Sequence, residues 1–258
     1  MVTWKGKKKS LCAQQIIAMI VGHLKEIAEG RLGAAVKSAV VTVPAYFDYT
    51  QRAAMKDACH IAGINVLRIL WASSSAAMAY ALQVEMEGDD ADKKEKNVLS
   101  FDIGGSGVEA CVAVIENGIA EVISLVANPY PGGEDFDDNM ILYFAKEFKR
   151  KHRKDLTLDA RALSRLRAAC ERAKIELSSA PQTAISIDNL HGGIDFQSSF
   201  SRAQFEAMNM ALFRKAMVPI QEVCVDSSVA THILTLTQNI QSIRLKRKPK
   251  RNNGHFSL

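Results

Sequence analysis

Residues 97–109 read Asn-Val-Leu-Ser-Phe-Asp-Ile-Gly-Gly-Ser-Gly-Val-Glu, an apolar strand that ends in an acid and then a glycine-rich turn. That pattern suits phosphate chemistry. A buried strand carries Asp102 to the edge of a sheet, and Gly104, Gly105 and Gly107, with Ser106 among them, let backbone N–H groups approach an anion without Cβ interference. No Gly-Lys-Ser/Thr follows, and Val108, Ala110, Val112 and Val114 alternate as a strand, so the segment reads as a β-phosphate hairpin and not as a P-loop. A tight glycine hairpin with a purely structural role has the same pattern.

The flanking sequence supplies elements to hold such a turn. Ile16, Met19, Ile20, Leu24 and Ile27 recur at helical spacing and predict an amphipathic helix over residues 14–29, one that needs a partner surface. A β-branched strand at residues 39–43 is stopped by Pro44, a helix follows at 50–62, a strand at 66–70 and an alanine-rich helix at 73–84. Residues 87–96 form a charged surface connection. Asn117-Gly118 favours a type I′ turn, which pairs residues 108–115 with 119–126 as antiparallel neighbours. Beyond Gly132-Gly133 the pattern becomes helical, with Met140, Ile141, Phe144, Ala145 and Phe148 on one face and basic residues at the end, where they suit the helix dipole. A second helix spans 159–177, and a hairpin joins 184–187 to 194–200 around His191-Gly192-Gly193. Ser201-x-x-Gln204 then gives a capping box for a helix running toward Pro219. Interleaved helices and hairpins make the class α/β.

Composition narrows the function classes. The chain has 258 residues, 48% of them hydrophobic, enough for one large domain or two small ones. There is no run of about eighteen apolar residues, and the N-terminus lacks a continuous signal-peptide core, so the expected location is cytoplasmic or nuclear, with no membrane partner. Five cysteines without a Cys-x-x-Cys pair argue against a disulfide framework and a zinc site; no metal ligand is assigned. The net charge of +5 comes from Arg244, Lys246, Arg247, Lys248, Lys250 and Arg251, since removing those six leaves −1. Such a cluster can attract nucleic acid, but residues 229–258 read as a solvated, disordered basic tail, and no specific nucleic acid is expected.

Several motifs, in order, resemble one family. They are Ala-Val-Val-Thr-Val-Pro-Ala-Tyr-Phe-Asp-Tyr-Thr-Gln-Arg at 39–52, Ile-Ala-Gly-Ile-Asn-Val-Leu-Arg-Ile at 61–69, Gly-Gly-Glu-Asp-Phe-Asp at 132–137, residues 147–152, and Ala-Cys-Glu-Arg-Ala-Lys at 169–174. Together with the glycine turn they resemble the ATPase domain of the 70-kDa heat-shock chaperone family, from Trp4 to Asp226. The resemblance implies an actin-like, ribonuclease-H-like ATPase fold of two lobes with nucleotide in the cleft between them. Here it implies an incomplete one, truncated at both ends, with a partial first lobe at 1–91 and a second lobe at 92–228. The implied ligand is ATP or ADP with Mg2+. By the same resemblance Asp102 is catalytic, and Gly104, Gly105, Ser106, Gly107, Gly132, Gly133, Glu171, Lys174 and Ser178 bind nucleotide. Pro44 and Arg52 match an interlobe switch.

The departures from the family bear on chemistry. Ser106 replaces a glycine, Gly107 a threonine whose hydroxyl bonds phosphate, and Glu109 a metal-site aspartate. Trp71-Ala72-Ser73-Ser74 stands where the family has Asn-Glu-Pro-Thr, which removes a glutamate used near the metal and the attacking water. Ile175 replaces an arginine that stacks on adenine. The first phosphate loop, the first catalytic aspartate and the catalytic lysine have no counterpart, and loss of their strands predicts an unpaired sheet edge. The expectation is a heat-shock-chaperone-like ATP-binding protein with weak or no hydrolysis. The alternative is a non-catalytic interaction module that binds nucleotide-exchange factors or other co-chaperones through residues 132–178, and a third reading is a poorly folding product of a disrupted gene copy. Without the resemblance, residues 171–178 read as an exposed helix face with an incidental charge pair.

Overall fold

The computed structural model describes residues 2–4, 7–87 and 95–226, so the basic tail and most of the charged connection at 87–96 lie outside the described residues. The chain divides into two compact units. The first contains Met1–Asp102 and Glu109–Asn128, and the second contains Ile103–Val108 and Pro129–Cys224.

The first unit opens with a short antiparallel hairpin, β1 (Val2–Trp4) and β2 (Lys7–Lys9), which periodicity did not anticipate because three-residue strands carry no pattern. Helix α1 (Ala13–Leu32) ends at Gly33, whose φ of 66° is the left-handed conformation that glycine adopts without strain. Strand β3 (Ser38–Val43), helix α2 (Tyr49–Ile61) and strand β4 (Asn65–Trp71) form a βαβ unit, with β3 and β4 parallel from Ser38 opposite Asn65 to Val43 opposite Trp71. Among the described residues these strands pair only with each other, so each keeps an edge with no strand beside it. Helix α1 packs on α2, yet its large aliphatic face, Ile16, Met19, Ile20, Leu24 and Ile27, stays 40–59% exposed while the smaller Ala18 is buried. Helix α3 (Ala72–Glu87) lies against β7 of a three-stranded sheet ordered β5 (Lys96–Ile103), β6 (Val108–Glu116), β7 (Ile119–Asn128). Asn117 and Gly118 have φ of 50° and 73°, the two positive values that a type I′ turn requires.

The second unit has a continuous core. Helix α4 (Gly133–His152) packs on α5 (Ala160–Leu177), and α5 covers the antiparallel hairpin of β8 (Gln182–His191) and β9 (Ile194–Ser201). The five apolar residues spaced along α4 are all buried, and Met140, Ile141, Phe144 and Phe148 share one core cluster with Phe196, Phe200 and Leu166. Helix α6 (Arg202–Ala216) begins at the expected box: the Ser201 hydroxyl accepts from the Gln204 N–H at 3.2 Å and Gln204 Oε1 accepts from the Ser201 N–H at 2.9 Å. Pro219 lies just beyond the end of α6. It is the second residue of α7 (Val218–Asp226), where a missing N–H falls among first-turn donors that have no intrahelical partner.

Carboxylates at helix starts and turns give the fold an acid limit. The Thr50 hydroxyl and then the Gln51 N–H hold Asp48 below its ordinary range, Lys149 and Thr157 do so for Asp155, and the Ala162 N–H and His191 for Asp159. A depressed folded-state pKa stabilises the protein above the unfolded value, and that contribution is lost as pH falls. The melting temperature is therefore expected to drop as pH is lowered through about 4, and less steeply in Asp159→Asn. A flat profile by circular dichroism would contradict this.

Candidate functional site

The glycine turn is built into the second unit as a docked loop. Gly104 N–H donates to the Gly107 carbonyl at 2.9 Å, closing the turn. Its outer carbonyls then serve a helix: Gly133 N–H donates to Gly104 O at 2.9 Å and Glu134 N–H to Gly105 O at 2.8 Å. These are first-turn donors of α4, which no residue of the helix itself can satisfy. The Asp135 carboxylate accepts from the Gly132 N–H at 2.7 Å and completes the cap. Gly132 is required by close approach, since a Cβ there would lie 2.3 Å from the Gly105 oxygen and 2.5 Å from the Gly107 nitrogen. Gly104, Gly105 and Ser106 remain exposed, whereas Gly107 is buried.

Lys174 closes this arrangement from α5. Its ammonium donates to Gly133 O at 2.8 Å and to Asp137 Oδ2 at 2.6 Å, with the two side chains only 15% and 9% exposed. The partner is thus Asp137, thirty-seven positions away, and not the neighbouring Glu171 expected of an incidental pair. Burial pushes the Asp137 carboxyl up against the opposing pull of Lys174, and its Oδ1 has no hydrogen-bond partner among the described residues. Removing the ammonium leaves a buried carboxylate unpaired. Lys174→Met is expected to destabilise by about 2 kcal/mol, read from urea unfolding, with Asp137→Asn in the same background recovering part of it.

The residues singled out by sequence are distributed as follows. Residues 104–107, Gly132, Gly133 and Lys174 come together. Glu171 is exposed one turn before Lys174 on α5, close enough for its charge to help raise Asp137. Ser178 caps the end of α5 and is half-buried, and Ile175 is exposed. Asp102 is an exposed residue of β5, one position before that strand ends. Pro44 directly follows β3 and accepts from the Phe47 N–H at 3.1 Å, while Arg52 lies in the first turn of α2 and adds to the lowering of Asp48. Among the described residues no group of three or more His, Cys, Asp or Glu is placed to hold a metal ion.

One acid of consequence was not singled out by sequence. Asp137 could have been, because it precedes Met140, Ile141, Phe144 and Phe148 at helical spacing and so puts a carboxylate on the buried face of α4. Glu109, read from sequence only as the replacement of a metal-site aspartate, is buried in β6 and accepts from the Ala45 N–H at 2.8 Å and the Ser73 N–H at 3.3 Å. No periodicity reports contacts between residues so far apart in the chain.

Known proteins share this arrangement of sequence. The profile of the Hsp70 protein family matches residues 1–236. A heat shock 70 kDa protein of Neurospora crassa is 50% identical over 228 residues, which cover 88% of this chain and 34% of that protein. Another from Penicillium citrinum is 52% identical over 198 residues, 77% of this chain and 38% of its own length. A ribosome-associated molecular chaperone of Zygosaccharomyces rouxii is 45% identical over 228 residues, 88% of this chain and 36% of that protein. The chain spans about a third of the length of these relatives. Its α/β elements and small sheets are those of an incomplete actin-like ATPase fold, and the chain belongs to the Hsp70 family.

Proposed function

We propose that this chain is an ATP-binding chaperone-family module with weak or no hydrolysis of its own. The observation that supports it most is the docking of residues 104–107 on the start of α4, with Lys174 bracing the same helix from α5. The exposed turn residues Gly104, Gly105 and Ser106 suit the phosphates, because no Cβ at the two glycines blocks the approach of an anion to the backbone. On this reading Gly104, Gly105, Ser106, Gly107, Gly132 and Gly133 line the phosphate end, and Glu171, Lys174 and Ser178 the nucleoside end. Mg2+ bound with the nucleotide would neutralise phosphate charge. Residues 1–91 correspond to a partial first lobe and 92–228 to the second, and Asp102 would act at the phosphates. Pro44 and Arg52 would form the switch between the lobes. Hydrolysis is weak because Gly107 has no hydroxyl and Ala72 no carboxylate. No helix among the described residues is long and apolar enough to cross a membrane, and the working location is cytoplasmic or nuclear.

The test is the melting temperature of the purified chain with and without Mg-ATP, together with phosphate release. Binding to the folded state raises the midpoint by mass action, so an upward shift without turnover is expected. No shift would sink the nucleotide reading, and turnover abolished by Asp102→Asn would sink the claim of weak hydrolysis. A second reading is favoured by the continuous aromatic core of the second unit: an interaction module for nucleotide-exchange factors or other co-chaperones. It expects capture of such a factor to be insensitive to nucleotide.

A further inference from the structure

Glu109 is a buried acid in a strand whose neighbours Val108, Ala110, Cys111 and Val112 are fully buried and apolar. A carboxylate in such surroundings requires donors. Both of its oxygens have one, and both donors are backbone amides from separate segments. Oε1 accepts from Ala45 N–H at 2.8 Å, in the turn directly after Pro44. Oε2 accepts from Ser73 N–H at 3.3 Å, in the first turn of α3. Ser73 is itself buried, and its amide is one of the donors that a helix leaves without an intrahelical partner, so a negative charge at this end of α3 is also favoured by the helix dipole.

We propose that Glu109 is a positioning residue, a strut that fixes the turn after Pro44 and the start of α3 to β6, and that its charge serves these amides and not a metal ion. The longer stem of glutamate is what the span requires. An aspartate at the same position falls short of one or both amides, so Glu109→Asp should resemble Glu109→Gln and not rescue it. In Glu109→Gln the shape is kept, but one amide now meets an NH2 donor in place of an oxygen.

The first experiment is residue-resolved amide hydrogen exchange on the unmodified chain. Ser73 should exchange at least about tenfold more slowly than a first-turn helix amide without an acceptor, and Ala45 should be protected with it. Glu109→Gln and Glu109→Asp should each lose that protection at one or both amides, while residues 133–134 keep theirs. Mg2+ alone, added to the unmodified chain, should leave the melting temperature unchanged. Unprotected Ser73 and Ala45 amides in the unmodified chain would overturn the proposal whether or not the variants fold. So would a stabilisation by Mg2+ that disappears in Glu109→Gln. A failure of ATP to bind would leave these exchange outcomes intact, which separates this proposal from the nucleotide reading.

Discussion

Phe144→Ala is expected to destabilise the second unit by about 3–5 kcal/mol. The side chain is fully buried on α4, with its ring centroid 5.2 Å from Phe200, 5.9 Å from Phe196 and 5.1 Å from Tyr143. Truncation removes the transfer energy of the ring, leaves a cavity, and breaks edge-on aromatic contacts that add to the area term. Both strand partners come from β9, so the relaxation that would fill the cavity must bend a hairpin already fixed in register against β8. Since a domain of this size has a total stability of about 5–15 kcal/mol, the loss is a large fraction of it. Phe144→Leu keeps most of the volume and should fall well short of the alanine effect. Urea unfolding followed by far-ultraviolet circular dichroism, with protease resistance of residues 129–224 as a second readout, measures both. Equal stability of Phe144→Ala and the unmodified chain would mean that this core is not what holds α4 to the hairpin.

How much of this was legible in the sequence depended on the range of the interaction. Met140, Ile141, Phe144, Ala145 and Phe148 announce the buried face of α4 because a helix repeats every few residues, and all five are buried. The same rule applied to Ile16, Met19, Ile20, Leu24 and Ile27 found helix α1 but not its environment, because periodicity marks an apolar face without saying what covers it. Local chemistry was readable where partners are neighbours, as in the Ser201–Gln204 box and the Asn117–Gly118 turn. It stopped short of α7, which opens at Val218 with Pro219 in its first turn and whose nine residues were not read as a helix. The site divides in the same way. Glycines 104, 105 and 107 stood out as a turn, but its attachment to α4, the Lys174–Asp137 pair and the reach of Glu109 to Ala45 and Ser73 join residues tens of positions apart.

Gly132→Ala is the substitution expected to separate the turn from its helix. The backbone of Gly132 has φ of −128°, which any residue can adopt, so the requirement for glycine is one of space alone. The added methyl would sit 2.3 Å from Gly105 O and 2.5 Å from both Gly107 N and the Ser106 carbonyl carbon. Every one of those atoms is backbone, and no rotamer change can yield room. The turn must move away, which breaks the bonds from Gly133 N–H to Gly104 O and from Glu134 N–H to Gly105 O. Overpacking with loss of these bonds should destabilise by about 3 kcal/mol. Any upward shift of the melting temperature with Mg-ATP should vanish with it, because the turn no longer stands over the α4 N-terminus. Gly105→Ala is the matched control: its Cβ would have only Glu134 Oε1 within reach, at 3.9 Å, an ordinary contact. That variant should fold like the unmodified chain yet respond less to Mg-ATP, because a methyl now stands on the exposed surface where phosphate would approach. If Gly132→Ala instead keeps both its stability and its nucleotide response, the turn is not seated on α4; if Gly105→Ala keeps the full response, phosphate does not bind at the turn.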